Sequence, residues 1–166
     1  MEDRALQELI PHNNCFGCGP ENESGLQLKS YWSGVGISRA IFLPKPWHCA
    51  GPKHFVNGGI ISTIIDCHCI CTATAAAYFN ENRKIGSSPL LCFATSKLNL
   101  HYRRPISIDT KLQMEAIIKG ATKKHFIITC DLTTDDGLCV QGEVEACLLY
   151  TSPSPRDATL SRIPSC

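Results

Sequence analysis

The chain has almost no net charge. Its 166 residues hold 16 Lys and Arg against 15 Asp and Glu, a balance of +1. That leaves no basic stripe for a phosphate backbone or an anionic lipid surface, so neither nucleic acid nor membrane is an expected partner. It also lacks any run of 18 apolar residues, which argues against a membrane-spanning helix. The opening Met-Glu-Asp-Arg-Ala-Leu carries acids where a secretion leader would carry an apolar segment. A cytoplasmic location is the expectation. Cysteine, by contrast, is plentiful, at 11. Such a count implies a disulfide framework only in small secreted chains. Here several cysteines occupy apolar positions of expected helix or strand and read as reduced, buried thiols. The length suits one domain with a substantial core.

The organising stretch is Asn57-Gly58-Gly59-Ile60-Ile61-Ser62-Thr63-Ile64-Ile65-Asp66, continuing as helix-compatible sequence to about Tyr78 or Asn80. Asn57 is a preferred N-cap, because its side chain can accept from one of the first helical N–H groups, which have no partner inside the helix. At about 100° per residue Asp66 falls under Gly59, on a face shared with the small residues Ser62, Ala73 and Ala77. The neighbouring stripe of Ile61, Ile64, Ile65, Ala75 and Phe79 should lie against a core. His68 falls on that stripe and reads as a hydrogen-bonded core residue. Free N–H groups and the positive end of the helix dipole stabilise negative charge near Gly58 and Gly59.

Phe55-Val56-Asn57-Gly58-Gly59 followed by Asp66 resembles the central helix of the hotdog-fold acyl-CoA thioesterase superfamily, of the PaaI-like and 4-hydroxybenzoyl-CoA thioesterase-like kind. The usual form there is His-Gly-Gly, six residues, Asp. Asn14-Cys15-Phe16-Gly17-Cys18-Gly19, with Asn22 and Gly25-Leu26 behind it, resembles the N-terminal segment of a subset of that family. Asn57 replaces the common histidine, and Gly51 stands where some members carry a polar active-site residue. The resemblance implies hydrolysis of an acyl-CoA thioester. Asp66 would be general base or nucleophile, and the N–H of Gly58 or Gly59, behind Asn57, an oxyanion donor. It also implies no cofactor and a homodimer or homotetramer. Thr95 matches a family hydroxyl that helps hold the catalytic water.

Around that helix the chain reads as α+β. Residues 1–10 can form a short amphipathic helix stopped by Pro11. Gly25–Tyr31 and Val35–Leu43 read as a hairpin turning at Ser33-Gly34, ended by Pro44 and Pro46. Leu90–Tyr102, Thr110–Lys119, His125–Thr134 and Leu138–Leu149 supply four more strands, the last two joined through the turn signal Asp135-Asp136-Gly137. One long helix and about six strands fit a curved antiparallel sheet wrapped around the helix, the hotdog fold. Strict alternation puts Thr95 on the face opposite Leu98, Leu100 and Tyr102, and so predicts that it serves Asp66 of a second subunit. The loop histidines His48 and His54 are weighed as bases against solvated or capping roles.

Cys15 and Cys18 form a lone Cys-x-x-Cys. Structural zinc wants four ligands, and the nearest further candidates are His12 and the group Cys67, His68, Cys69 and Cys71, which points in several directions around a helix. No metal is therefore expected. The hotdog domain is expected over residues 1–149. The segment from Tyr150 to Cys166, with Pro153, Pro155 and Pro164 among serines, is expected to be a disordered or artefactual tail. Two other functions remain open: a hotdog dehydratase or hydratase using an Asp/His pair, and a non-catalytic acyl-binding subunit.

Overall fold

The computed structural model describes residues 4–150, so the expectation for the tail falls outside the described residues except at Tyr150. Its centre is helix α1, Gly58–Asn80. The Asn57 side chain accepts from Gly59 N at 2.7 Å and Ile60 N at 3.3 Å, as its N-cap identity predicts. The helix ends at Glu81, whose N–H returns to the Ala77 carbonyl, and Asn82 then turns the chain with φ +52°. By length and apolarity α1 could cross a membrane, but 72% of that window is buried inside the protein.

Six strands surround it: β1 Ser30–Gly34, β2 Ile37–Phe42, β3 Cys92–Tyr102, β4 Leu112–Ala121, β5 His125–Thr134 and β6 Gly137–Tyr150. They form one sheet in the order β1-β2-β4-β5-β6-β3, every pair antiparallel. Curved around α1, it is the expected hotdog architecture. Ile61, Ile64 and Ile65 of the helix are buried with Leu112, Phe126, Ile128, Leu132, Val140 and Val144 of the sheet. Each such side chain contributes about 1.5–3 kcal/mol by leaving water. Helix and sheet approach closely at Gly142 of β6, where a Cβ would stand 2.8 Å from Ile65 and 3.1 Å from Leu100. A missing side chain there lets the helix seat one residue before Asp66.

The N-terminal region departs from expectation. The amphipathic helix shrinks to a 3₁₀ turn at Leu6–Leu9. The first strand starts at Ser30 instead of Gly25, because residues 25–28 give their hydrogen bonds to a loop: Leu26 N to Phe16 O at 2.7 Å and Leu28 N to Gly17 O at 3.1 Å. The hairpin turns one to two residues later than expected, through Val35 and Gly36, with Gly34 and Gly36 at φ +109° and +73°. Gln7, Ser30 and His68 then form a buried polar chain. Gln7 Nε2 donates to Ser30 Oγ at 2.8 Å, leaving that hydroxyl's hydrogen for His68 Nδ1, also at 2.8 Å. His68 is fully buried, and burial lowers its pKa to about 4, so it is a neutral core residue as expected.

Candidate active site

Asp66 sits midway along α1, half-buried on the flank that faces strand β3. Thr95 Oγ1 donates to Asp66 Oδ1 at 2.5 Å within the same chain. This corrects the expectation that Thr95 reaches a second subunit. The register explains why: Thr95 pairs with Ala146 and Lys97 with Glu145, leaving Ser96 as an extra residue in a β-bulge. The bulge resets the alternation, so Thr95 shares the inward face with Leu98, Leu100 and Tyr102.

The Asp66 carboxyl has its pKa raised above the ordinary value, chiefly because burial disfavours the charged form. The Thr95 hydroxyl works the other way, stabilising the carboxylate it donates to. An acid poised in this way suits base catalysis better than a solvated aspartate does.

At the start of α1, Asn57 has taken the Gly59 N–H into its cap. Of the two donors expected there, Gly58 N–H is the one left without an acceptor among the described residues. Gly59 must still be small, since a Cβ there would meet Asn57 Oδ1 at 3.0 Å. Tyr102 Oη donates to the Gly58 carbonyl at 2.7 Å, tying the helix start to the end of β3. Asn57 is itself held by its N–H, which bonds the His48 carbonyl at 2.9 Å. His48 Nδ1 accepts from Lys45 N at 3.1 Å and its ring stacks on Phe42, while burial lowers its pKa. His48 therefore has a positioning role. His54 lies exposed on the same loop with its ring against Phe55. Neither histidine hydrogen-bonds Asp66.

A cleft of about 270 Å³ opens beside the helix start, lined by Val56, Gly58, Tyr102, Arg103, Arg104 and Ile106. Sequence reasoning read Arg103 and Arg104 only as the end of a strand. Two larger clefts, of about 480 Å³ by Trp32 and Phe79 and about 470 Å³ by Tyr31 and Arg39, involve neither Asp66 nor Thr95.

The geometry also separates groups that the linear motif brings together. Eight residues at a rise of about 1.5 Å put Asp66 about 12 Å along the axis from Gly58. One thioester cannot touch both on a single helix. Cys15, Cys18 and Cys67 have their sulfur atoms within 4.8 Å of one another. Cys67 and Cys71, one turn apart on α1, face the loop, while His68 meets Ser30 and Cys69 meets Cys130, so the group points in several directions, as expected.

A sequence model of the thioesterase superfamily matches residues 53–141. No protein of curated function matches significantly. Among solved structures, a thioesterase superfamily protein from Shewanella loihica is 30% identical, with 84% of this chain and 96% of that chain covered at a TM-score of 0.63. The PaaI protein from the phenylacetic acid degradation operon of Escherichia coli is 10% identical, over 76% of this chain and 83% of that one, with a TM-score of 0.62. A hypothetical thioesterase from Streptococcus pneumoniae, solved with coenzyme A, is likewise 10% identical, covering 75% and 87% at 0.61. The helix-in-sheet fold, the match over the central 89 residues and the 30% identity to the Shewanella protein agree: this chain belongs to the thioesterase superfamily.

Proposed function

We propose that the protein hydrolyses an acyl-CoA, giving a free acid and CoA, at a site shared by two subunits. The observation that carries the reading is Asp66 itself, a half-buried carboxyl raised in pKa and held by Thr95 on the exposed flank of the central helix. As carboxylate it takes a proton from water, which attacks the thioester carbonyl, or it attacks that carbonyl directly. The tetrahedral oxyanion needs a donor about 3 Å away, which the same helix cannot supply. A two-fold dimer aligning two α1 helices in opposite directions brings Gly58 N–H of the partner subunit to that oxygen, and builds two equal sites. Support for this comes from the edge strand β3, which is largely exposed from Thr95 to Tyr102. Arg103 and Arg104 in the cleft at the helix start supply positive charge for the phosphates of CoA, the ligand of the Streptococcus structure. Within one chain neither His48 nor His54 hydrogen-bonds Asp66, so nothing there favours the dehydratase alternative.

The test is thiol release from a panel of acyl-CoAs differing in length and aromaticity, with Asp66→Asn alongside. At least one substrate should be cleaved, and the variant should lose roughly 10²-fold or more in kcat with folding intact, as expected for a lost base. A panel left uncleaved, or a fully active Asp66→Asn, would refute the proposal.

A further inference from the structure

The N-terminal loop and one flank of α1 enclose thiols that thioester chemistry does not use. Cys15 and Cys18 come from the loop, Cys67 and Cys71 from successive turns of the helix. Cys15 Sγ and Cys67 Sγ are 3.6 Å apart, and both lie within 4.8 Å of Cys18 Sγ. The Cys18 thiol also interacts with that of Cys71. Sulfurs bound tetrahedrally to one zinc at about 2.3 Å stand about 3.8 Å from one another. Cys15, Cys18 and Cys67 therefore already stand close to the spacing of a thiolate–zinc centre, and Cys71, in contact with Cys18, is the fourth thiol at hand. That spacing is much wider than the roughly 2.05 Å of a disulfide.

The loop is shaped for this approach. A Cβ on Gly17 would fall 2.3 Å from Cys67 Sγ and 2.8 Å from Thr63 Cγ2, and one on Gly19 would fall 2.4 Å from Cys15 N. Glycine at 17 lets the backbone between the two loop cysteines press onto the helix, and glycine at 19 lets the loop close on itself. The turn is closed by Gly19 N–H donating to Cys15 O at 2.8 Å, and the Asn13 side chain accepts from Cys15 N at 3.2 Å. Asn13 also contacts Cys18, and Gln7 contacts Cys71, so two amides surround the sulfurs as outer partners. Cys18, Cys67 and Cys71 are buried, while Cys15 is exposed and gives an ion a route in.

Thiols are weak hydrogen-bond donors and acceptors and gain little from one another. Four that converge from two distant segments gain far more by binding a soft dication. We infer that Cys15, Cys18, Cys67 and Cys71 form a tetrahedral site for a structural zinc ion, which pins the N-terminal loop to α1 beside Asp66. Binding forms four Zn–S bonds and releases the thiol protons to solvent, with no change of oxidation state.

Protein purified under reducing, chelator-free conditions from zinc-supplemented medium should carry about one zinc per chain by plasma mass spectrometry. Cys18→Ser and Cys71→Ser should lose it, and Cys147→Ser, on β6 away from the cluster, should keep it. Wild-type protein from cobalt-supplemented minimal medium provides a reading independent of how well the cluster variants fold. It should show the visible bands of tetrahedral cobalt and near-ultraviolet sulfur-to-cobalt charge transfer. Three results would each overturn the inference: metal-free wild type with no thiolate–cobalt bands, a disulfide among these four cysteines after alkylation and mass spectrometry, or stoichiometric zinc retained by a Cys18→Ser, Cys71→Ser double variant. None of these readouts depends on thioesterase activity.

Discussion

Gly58→Pro removes one hydrogen-bond donor and very little else. Gly58 is the first residue of α1, where proline's fixed φ suits the helix and its missing N–H breaks no intrahelical bond. Asn57 before it has φ −65° and ψ 132°, the extended conformation that a following proline requires. A Cβ at position 58 would meet only Tyr102 ring atoms at 3.8 Å, an ordinary contact. Stability should therefore hold or rise by about 0.4–1 kcal/mol through the restricted unfolded chain. For a chain of this length that is a gain of a few degrees at most, at about 2–4 °C per kcal/mol. If Gly58 N–H stabilises the oxyanion, its loss should lower kcat by about 10²–10³-fold, or about 2.7–4 kcal/mol of barrier, with KM much less affected. Gly58→Ala keeps the N–H while adding the Cβ, and should retain most of its turnover. The assay is thiol release on the best acyl-CoA, beside thermal melts of the same preparations. A proline variant that melts normally and turns over at the wild-type rate would refute the oxyanion role. Equal losses in the proline and alanine variants would assign the effect to bulk.

Because the Asp66 pKa is raised on folding, its ionised form is disfavoured in the native state; stability is lost as pH rises from its ordinary value through the raised one. Asp66→Asn should accordingly melt higher than wild type at neutral pH while being far less active. Thr95→Ala removes the bond that favours the carboxylate, so the acid limb of kcat/KM should move to higher pH; an unmoved limb would show that Thr95 does not tune Asp66. Mixed dimers of Asp66→Asn and Gly58→Pro chains should recover about half of wild-type activity per heterodimer, since one of two shared sites is intact. Asp66→Asn mixed with Thr95→Ala should give only the parental average, because those residues act within one chain. His68, its pKa lowered to about 4 by burial, contributes stability that is present above its unfolded value near 6.5 and is lost as pH falls toward 4. At about 1.4 kcal/mol per pH unit this amounts to about 3 kcal/mol, measurable by urea unfolding at several pH values and absent in His68→Gln.

The parts of the fold that sequence reveals are those with local causes. Asn57 announces the start of α1 because a cap acts on N–H groups two and three residues away. The β5–β6 hairpin is equally local: Thr134 pairs with Gly137 across Asp135 and Asp136, and Gly137 takes φ +100°. The site's acid stood out for a similar reason, as one carboxylate inside an apolar helix. Residues 25–29 were misassigned because they have a strand's composition, yet their hydrogen bonds go to Phe16 and Gly17 in a loop whose docking no local pattern encodes. Arg103 and Arg104 gained meaning only when Tyr102 was seen tied to the helix start.

The misplacement of Thr95 has one physical reason. Periodicity assigns a residue to a face by counting, and counting holds only while every residue takes one place in the repeat. Ser96 breaks the count in β3, with its hydroxyl on the Glu145 carbonyl at 3.0 Å, and carries no glycine or proline to mark the bulge. On α1 the count was sound, but the feature that selects Cys67 and Cys71 from their neighbours is a loop about 50 residues earlier, admitted by the absence of a side chain at Gly17. Both irregularities flank the same carboxyl. The bulge turns a hydroxyl toward Asp66, and the loop packs against Cys67, the residue that follows Asp66. Regular strand and helix would have left Asp66 an ordinary half-exposed aspartate; the departures from regularity set its partners and its acidity.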